Sequence, residues 1–158
     1  MLKIGLLGAG RIGAVHAKSI SAHPECTLAG VSDYVPDLAK KLAAEHASVA
    51  RTSDEIIADP SIDAVLIATS TDTHSDLIEA ATAAGKAVLC EKPVDLSLER
   101  ARACQAATNN SGQPIMIGFN RRFDNNFAVL QGALDAGEIG KAEMLSITSF
   151  DPGPPPIE

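Results

Sequence analysis

Short runs of aliphatic residues alternate along this chain with longer, Ala-rich stretches of helical period. The apolar runs predict strands at Lys3–Leu7, Thr27–Val31, a short one at Ser48–Ala50, then Ala64–Ala68, Ala87–Cys90 and Ile115–Ile117. The stretches between them predict helices at Arg11–Ala22, Pro36–His46, Ser53–Ala58, His74–Ala84, Leu98–Asn109 and Arg121–Ala136. Strands that read as near-continuous aliphatic runs are buried on both faces. Strand and helix alternation of this kind therefore predicts an α/β protein with a parallel sheet covered by helices on both sides.

Local punctuation agrees. Thr52 with Glu55 forms a capping-box pair ahead of an apolar run, and Thr73 with Asp76 a weaker one. Ser97 is placed to cap a helix, and Gly85, Gly112 and Gly137 fall where helices should stop. The final stretch differs. Phe123, Phe127, Leu130 and Leu134 form an apolar helical stripe, and Ala142–Phe150 reads as a further strand before Asp151-Pro152-Gly153 and three more prolines. That strand is either an antiparallel edge of the main sheet or the start of a second domain.

Composition narrows the classes. The chain has 158 residues, 46% hydrophobic and 21% charged, which is ordinary globular composition. Its only aromatics are Tyr34, Phe119, Phe123, Phe127 and Phe150, which leaves little for base stacking on single-stranded nucleic acid. A net charge of −7 provides no broad surface for nucleic acid or anionic lipid. No apolar run approaches transmembrane length, and the N-terminus reads as a strand rather than a signal peptide. Cys26, Cys90 and Cys104 lack C-x-x-C spacing and read as reduced, mostly buried thiols of a cytoplasmic protein.

The densest chemical signal is Gly8-Ala9-Gly10-Arg11-Ile12-Gly13, a G-x-G-x-x-G between a strand and a helix. In such a loop the first glycine makes a tight turn. The second lets the backbone approach a pyrophosphate, and the third lets helix and strand pack closely. The helix N-terminus adds unpaired N–H groups and partial positive charge. Asp33 ends the second strand, 20 residues after Gly13, where a carboxylate accepts ribose hydroxyls and repels a 2′-phosphate. The cofactor expected is NAD rather than NADP, on a Rossmann-type doubly wound sheet.

Ligands of such sheets sit at the C-terminal ends of the strands. Ala68, Thr69 and Ser70 there offer backbone and small hydroxyls to a nicotinamide ribose. Thr73 reads more simply as a helix cap, and His74 faces either the cofactor or solvent. After the next strand come Glu91-Lys92-Pro93. Lys92 either hydrogen-bonds a substrate hydroxyl and stabilises its developing alkoxide, or is an exposed turn lysine. Asn120, Arg121 and Arg122 follow the last strand. Two arginines at a helix start oppose its dipole unless they have partners, so they are ligand contacts or a solvated pair. His16, His23 and His46 have no metal-ligand spacing and read as surface or satisfied side chains; no metal is expected.

These pieces together resemble the Gfo/Idh/MocA oxidoreductases. The match rests on Gly8–Gly13 with His16, on Asp33, on Ala68-Thr69-Ser70 with His74, and most specifically on Glu91-Lys92-Pro93. Gly118 to Asp124, Gly137-Glu138-Ile139-Gly140-Lys141 and Ser146–Ser149 narrow it to the inositol 2-dehydrogenase branch. The resemblance implies oxidation of a ring hydroxyl of a cyclic polyol, myo-inositol, with hydride passing to NAD. It makes Lys92 the catalytic lysine. Gly8, Gly10, Arg11, Ile12, Gly13, Asp33, Ala68, Thr69, Ser70, His74, Glu91 and Lys92 would contact or shape the cofactor site, with Asn120 and Arg121 near cofactor or substrate.

The resemblance also implies two parts: an NAD-binding Rossmann domain over 1–120, and over 121–158 a helix and first strand leading into an α+β substrate domain. Family members supply from that second domain a D-x-x-x-H pair that completes catalysis, and no Asp of this chain has a His four residues on. The expectation is the cofactor half of a dehydrogenase, weak or inactive alone. Its last strand would pair with another copy, pack back on the parent domain or stay disordered. Two other readings stand beside this one: a non-catalytic NAD-binding module, and a relative acting on another sugar or an imine.

Overall fold

A computed structural model describes residues 1–148 and Phe150. The first unit, Met1–Phe119, is a five-stranded sheet with helices on both faces. Its elements in chain order are β1 (Leu2–Leu7), α1 (Arg11–Ala22), β2 (Cys26–Ser32), α2 (Pro36–Glu45) and α3 (Ser53–Ala58). There follow β3 (Ala64–Ile67), α4 (His74–Ala83), β4 (Ala87–Cys90), α5 (Leu98–Thr108) and β5 (Ile115–Ile117). All strands pair in parallel, in the order β2-β1-β3-β4-β5. The predicted fold class is the one found.

Alternation along β1 shows why two helical layers are needed. Leu6 belongs to a cluster with Ala17 and Ile20 of α1, Leu28 and Val31 of β2, and Ala39, Leu42 and Ala43 of α2. Leu7 points the other way, into a cluster with Ile56 and Ile57 of α3, Ile78 and Ala81 of α4, and Cys104 of α5. Both leucines are fully buried, and each such side chain stabilises the fold by about 1.5–3 kcal/mol. The order of the strands reverses at β1: the chain crosses to β2 on one side, then returns to β3 on the other. That leaves a crevice at the C-terminal end of β1, where ligands of open α/β sheets bind.

Helix boundaries follow local chemistry. The Thr52–Glu55 capping box forms as expected, as does the Ser97 cap on Arg100 N. Gly85, Gly112 and Gly137 all take positive φ beyond helix ends. Thr73 departs from expectation: its hydroxyl gives α4 no cap and instead donates to Ser70 O at 2.8 Å. The expected Ser48–Ala50 strand reduces to one parallel bridge between Val31 and Ala50.

The second unit, Asn120–Glu158, holds a 3₁₀ turn at Asn120–Phe123 and α6 (Asn125–Asp135). The single helix expected from Arg121 is interrupted because the Asp124 carboxylate accepts the Asn126 N–H at 3.0 Å, starting α6 afresh. The strand expected over Ala142–Phe150 does not form over 142–148, where no partner ladder is present among the described residues. Ser149 lies outside the described residues, as do the prolines after it.

Candidate functional site at the ends of the parallel strands

The glycine loop joins β1 to α1. Gly8 takes φ 105°, which L side chains rarely adopt, and a Cβ there would run into the Ala68 carbonyl at the end of β3. A Cβ on Gly13 would run into the Gly8 carbonyl, so the first turn of α1 closes directly on the loop. Gly10 differs: a Cβ there would meet nothing within 4 Å. The open space over Gly10, beside the start of α1, would admit a pyrophosphate. Gly10 caps α1 without a side chain, and the first turn of α1 carries no acid. Its N–H groups and dipole are left to an anion. Arg11 and Ile12 are exposed beside it.

Asp33 is held from two sides. Its Oδ2 accepts Ala9 N–H at 2.7 Å and its Oδ1 accepts Val35 N–H at 2.8 Å. The carboxylate therefore locks the end of β2 to the glycine loop. Each oxygen keeps lone-pair capacity for a further donor, which suits a pair of ribose hydroxyls. Asp33 is half-buried, and the Tyr34 that follows is fully exposed.

On the other side of β1, Ala68, Thr69 and Ser70 leave β3. Ala68 N–H donates to Leu7 O at 2.7 Å, and the Thr69 and Thr73 hydroxyls lie 2.7 Å apart. His74 does not face solvent. Its ring is 2% exposed, with Nδ1 2.8 Å from Pro93 O and Nε2 3.1 Å from Thr69 O. Both nitrogens face backbone carbonyls, so the buried ring sits between the loops that follow β3 and β4.

Glu91 and Lys92 extend β4. Glu91 Oε1 lies 2.8 Å from His16 Nε2 on α1, and Glu91 Oε2 accepts Lys92 N–H at 3.4 Å. Glu91 thus links α1 to the backbone of the lysine. Gly118 backs it closely: a Cβ there would come within 3.2 Å of the carboxylate. His16, which the sequence reads as a surface or satisfied side chain and as part of the family motif, is satisfied by this contact. Its signal was its place three residues after Gly13, one helical turn on, which aims it at the strand ends. Lys92 is exposed, and among the described residues its ammonium has no hydrogen-bonded or ion-paired partner. At the neighbouring Cys90, burial and then the Glu91 charge push the thiol up to about 12, which disfavours its thiolate.

The structure thus brings Gly8, Gly10, Arg11, Ile12, Gly13, Asp33, Ala68, Thr69, Ser70, His74, Glu91 and Lys92 to the same end of one sheet. Asn120 and Arg121 belong to the second unit, where both are exposed and Arg121 Nη1 lies 3.6 Å from Asp124 Oδ2. Among the described residues no cluster of His, Cys, Asp and Glu could hold a metal ion. No helix among them is long and apolar enough to cross a membrane.

Residues 2–119 match an oxidoreductase family described as an NAD-binding Rossmann fold, GFO_IDH_MocA. An inositol 2-dehydrogenase of Rhizobium meliloti (strain 1021) is 49% identical over 157 residues, 99% of this chain and 48% of that protein. A crystal structure of a myo-inositol dehydrogenase from Corynebacterium glutamicum superposes with a TM-score of 0.85 at 42% identity, over 89% of this chain and 43% of that one. A scyllo-inositol dehydrogenase from Lactobacillus casei, solved with bound NAD(H) and scyllo-inositol, superposes with a TM-score of 0.82 at 31% identity, over 89% and 42%. The chain spans about half the length of the relatives it matches.

Proposed function

The chain belongs to the Gfo/Idh/MocA oxidoreductases and carries their NAD-binding Rossmann domain; from that premise we propose that it serves oxidation of a ring hydroxyl of a cyclic polyol, with myo-inositol the substrate. The observation that carries the reading is Lys92. It stands exposed at the end of β4, one strand from Thr69, with no partner for its ammonium among the described residues.

The fit to the dinucleotide is physical. Gly10 leaves room for the pyrophosphate, the uncapped N-terminus of α1 receives its charge, and Asp33 accepts hydroxyls of the adenosine ribose. Arg11 and Ile12 flank the phosphates. Because Asp33 is the end of β2 and Thr69 the end of β3, on opposite sides of β1, the nicotinamide half falls on the β3 and β4 side. Ala68, Thr69 and Ser70 then line its ribose. When bound, NAD supplies a hydride acceptor.

Lys92 does the work next to it. Its ammonium would donate a hydrogen bond to the substrate hydroxyl oxygen, and its charge would stabilise the alkoxide as the hydroxyl proton passes to the histidine that the family resemblance places in the substrate domain and hydride leaves carbon for NAD. Glu91, paired with His16, accepts the Lys92 backbone N–H and so ties the lysine's backbone, not its ammonium, to α1. The family resemblance adds Asn120 and Arg121 on the cofactor or substrate side, and assigns residues 121–158 to the start of a substrate domain.

The test is NADH formation from NAD with myo-inositol and with scyllo-inositol, followed by absorbance. Polyol-dependent turnover that falls about 10²–10⁴-fold in Lys92→Ala, with NADH binding retained, is the outcome expected of a catalytic lysine. Turnover that survives Lys92→Ala would sink the assignment. NADH binding without any polyol-dependent reduction would fit both a cofactor half that is inactive alone and a binding module; the same assay with the substrate domain of a relative supplied separates them, since only the first gains a Lys92-dependent turnover.

A further inference from the structure

Beyond Cys90 at the ends of β3 and β4, the two chains part company. The last backbone hydrogen bond between them runs from Glu91 N–H to Ile67 O, at 2.9 Å. Among the described residues none joins 68–73 to 91–95. Yet the proposed chemistry needs these two segments at a fixed spacing, because one lines the nicotinamide ribose and the other carries Lys92. What spans the gap is the first turn of α4. His74 faces the Thr69 carbonyl with one ring nitrogen and the Pro93 carbonyl with the other. Ser75, 1% exposed, turns its hydroxyl to Val94 O at 3.3 Å and Asp95 Oδ2 at 2.8 Å.

We propose that His74 is a positioning residue: its buried imidazole straps the Thr69 segment to Pro93 and so sets where Lys92 stands relative to the nicotinamide. The inference rests on the placement of the nicotinamide on the β3 and β4 side. A protonated imidazole donates to both carbonyls and joins them directly; a neutral one donates to only one and holds the other by the packing of its buried ring. Burial makes the strap stiff. A small side chain at this position leaves two carbonyls facing an empty space, and the loops are free to separate. The adenosine end is held elsewhere, by the Asp33 carboxylate on Ala9 N–H. Loss of the strap should therefore be felt at one end of the dinucleotide only.

That asymmetry is what the experiment reads. NADH and ADP-ribose share the adenosine and pyrophosphate but differ in the nicotinamide. Their affinities for the 158-residue chain are measured by NADH fluorescence titration and by competition, for the native chain, His74→Ala and His74→Gln. The native chain should hold NADH more tightly than ADP-ribose. In His74→Ala, NADH affinity should fall about tenfold, the scale of one buried hydrogen bond, while ADP-ribose affinity stays within about twofold. His74→Gln, which keeps a donor, should recover part of the loss. In the native chain, the His74 ring ¹⁵N resonances should move with NADH and stay put with ADP-ribose.

Equal losses for both ligands would make His74 a support of the fold alone and overturn the strap. A native preference for NADH that persists in His74→Ala would do the same, leaving the nicotinamide placement intact. Equal affinities in the native chain would overturn that placement and the strap together. Should neither variant fold, the native ring resonances decide: no response to NADH overturns the proposal.

Discussion

At the scale of single residues, the three glycines of the loop resemble one another in sequence and differ in cause. Gly13 lies in the third position of α1, where alanine would gain up to about 1 kcal/mol of helix propensity. Its Cβ would meet a backbone carbonyl, which cannot swing aside as a flexible side chain can. Overpacking of this kind costs about 1–3 kcal/mol, so the clash wins. Gly13→Ala should lower the melting temperature. Gly10→Ala should cost at most about 1 kcal/mol, the difference in N-cap preference, yet weaken NADH binding by filling the space above the loop. Melting curves and NADH titrations of the two variants check this. Tight NADH binding by Gly10→Ala would remove the loop from the phosphate site.

At the scale of elements, carboxylates tie short helices and loops in place. The Thr52 backbone and hydroxyl hold Glu55 below its usual range. The Arg51 guanidinium, followed by Ser61, holds Asp59 well below its own. Ser97 and then Ser75 hold Asp95 low. For groups whose folded pKa is depressed, the stabilisation is complete above the unfolded value, about 4 for a carboxylate, and is lost as pH falls through the lower folded value. The urea midpoint should therefore be flat from neutral pH to about pH 5 and drop below about pH 4. Asp59→Asn should shrink that drop, since the amide cannot titrate. All three groups are solvent-accessible, so the effect should weaken in high salt. A drop of full size in Asp59→Asn would show that other carboxylates govern the acid limb.

At the scale of the whole molecule, both hydrophobic clusters draw only on residues of the first unit. All the strand pairing of the sheet lies there too. Residues 1–119 should therefore fold cooperatively on their own and bind NADH as the 158-residue chain does. Calorimetry and NADH titration of the shorter chain test this. A weaker affinity with an unchanged melting temperature would credit the residues beyond 119, Asn120 and Arg121 among them, with cofactor contacts. Loss of cooperative melting would make the second unit part of the core.

Much of this protein can be read directly from its residues, because the determinants are local. Aliphatic runs at strand length, the Thr52–Glu55 box, the Gly8–Gly13 loop and Asp33 at the end of β2 depend on near neighbours in sequence. Together they specify a parallel sheet, its helices and an NAD site. Where neighbours in space decide, that reading stops. The Ser48–Ala50 segment became a single bridge and 142–148 formed no strand, since a strand exists only where a ladder partner does. Asp124 divided the helix expected from Arg121 by taking up the Asn126 N–H. His16 and His74 carried no mark of their partners, Glu91 and the carbonyls of Thr69 and Pro93, because those lie 75, 5 and 19 residues away. Only the packing of α1 and α4 against the strand ends closed those distances, and with them the geometry around Lys92.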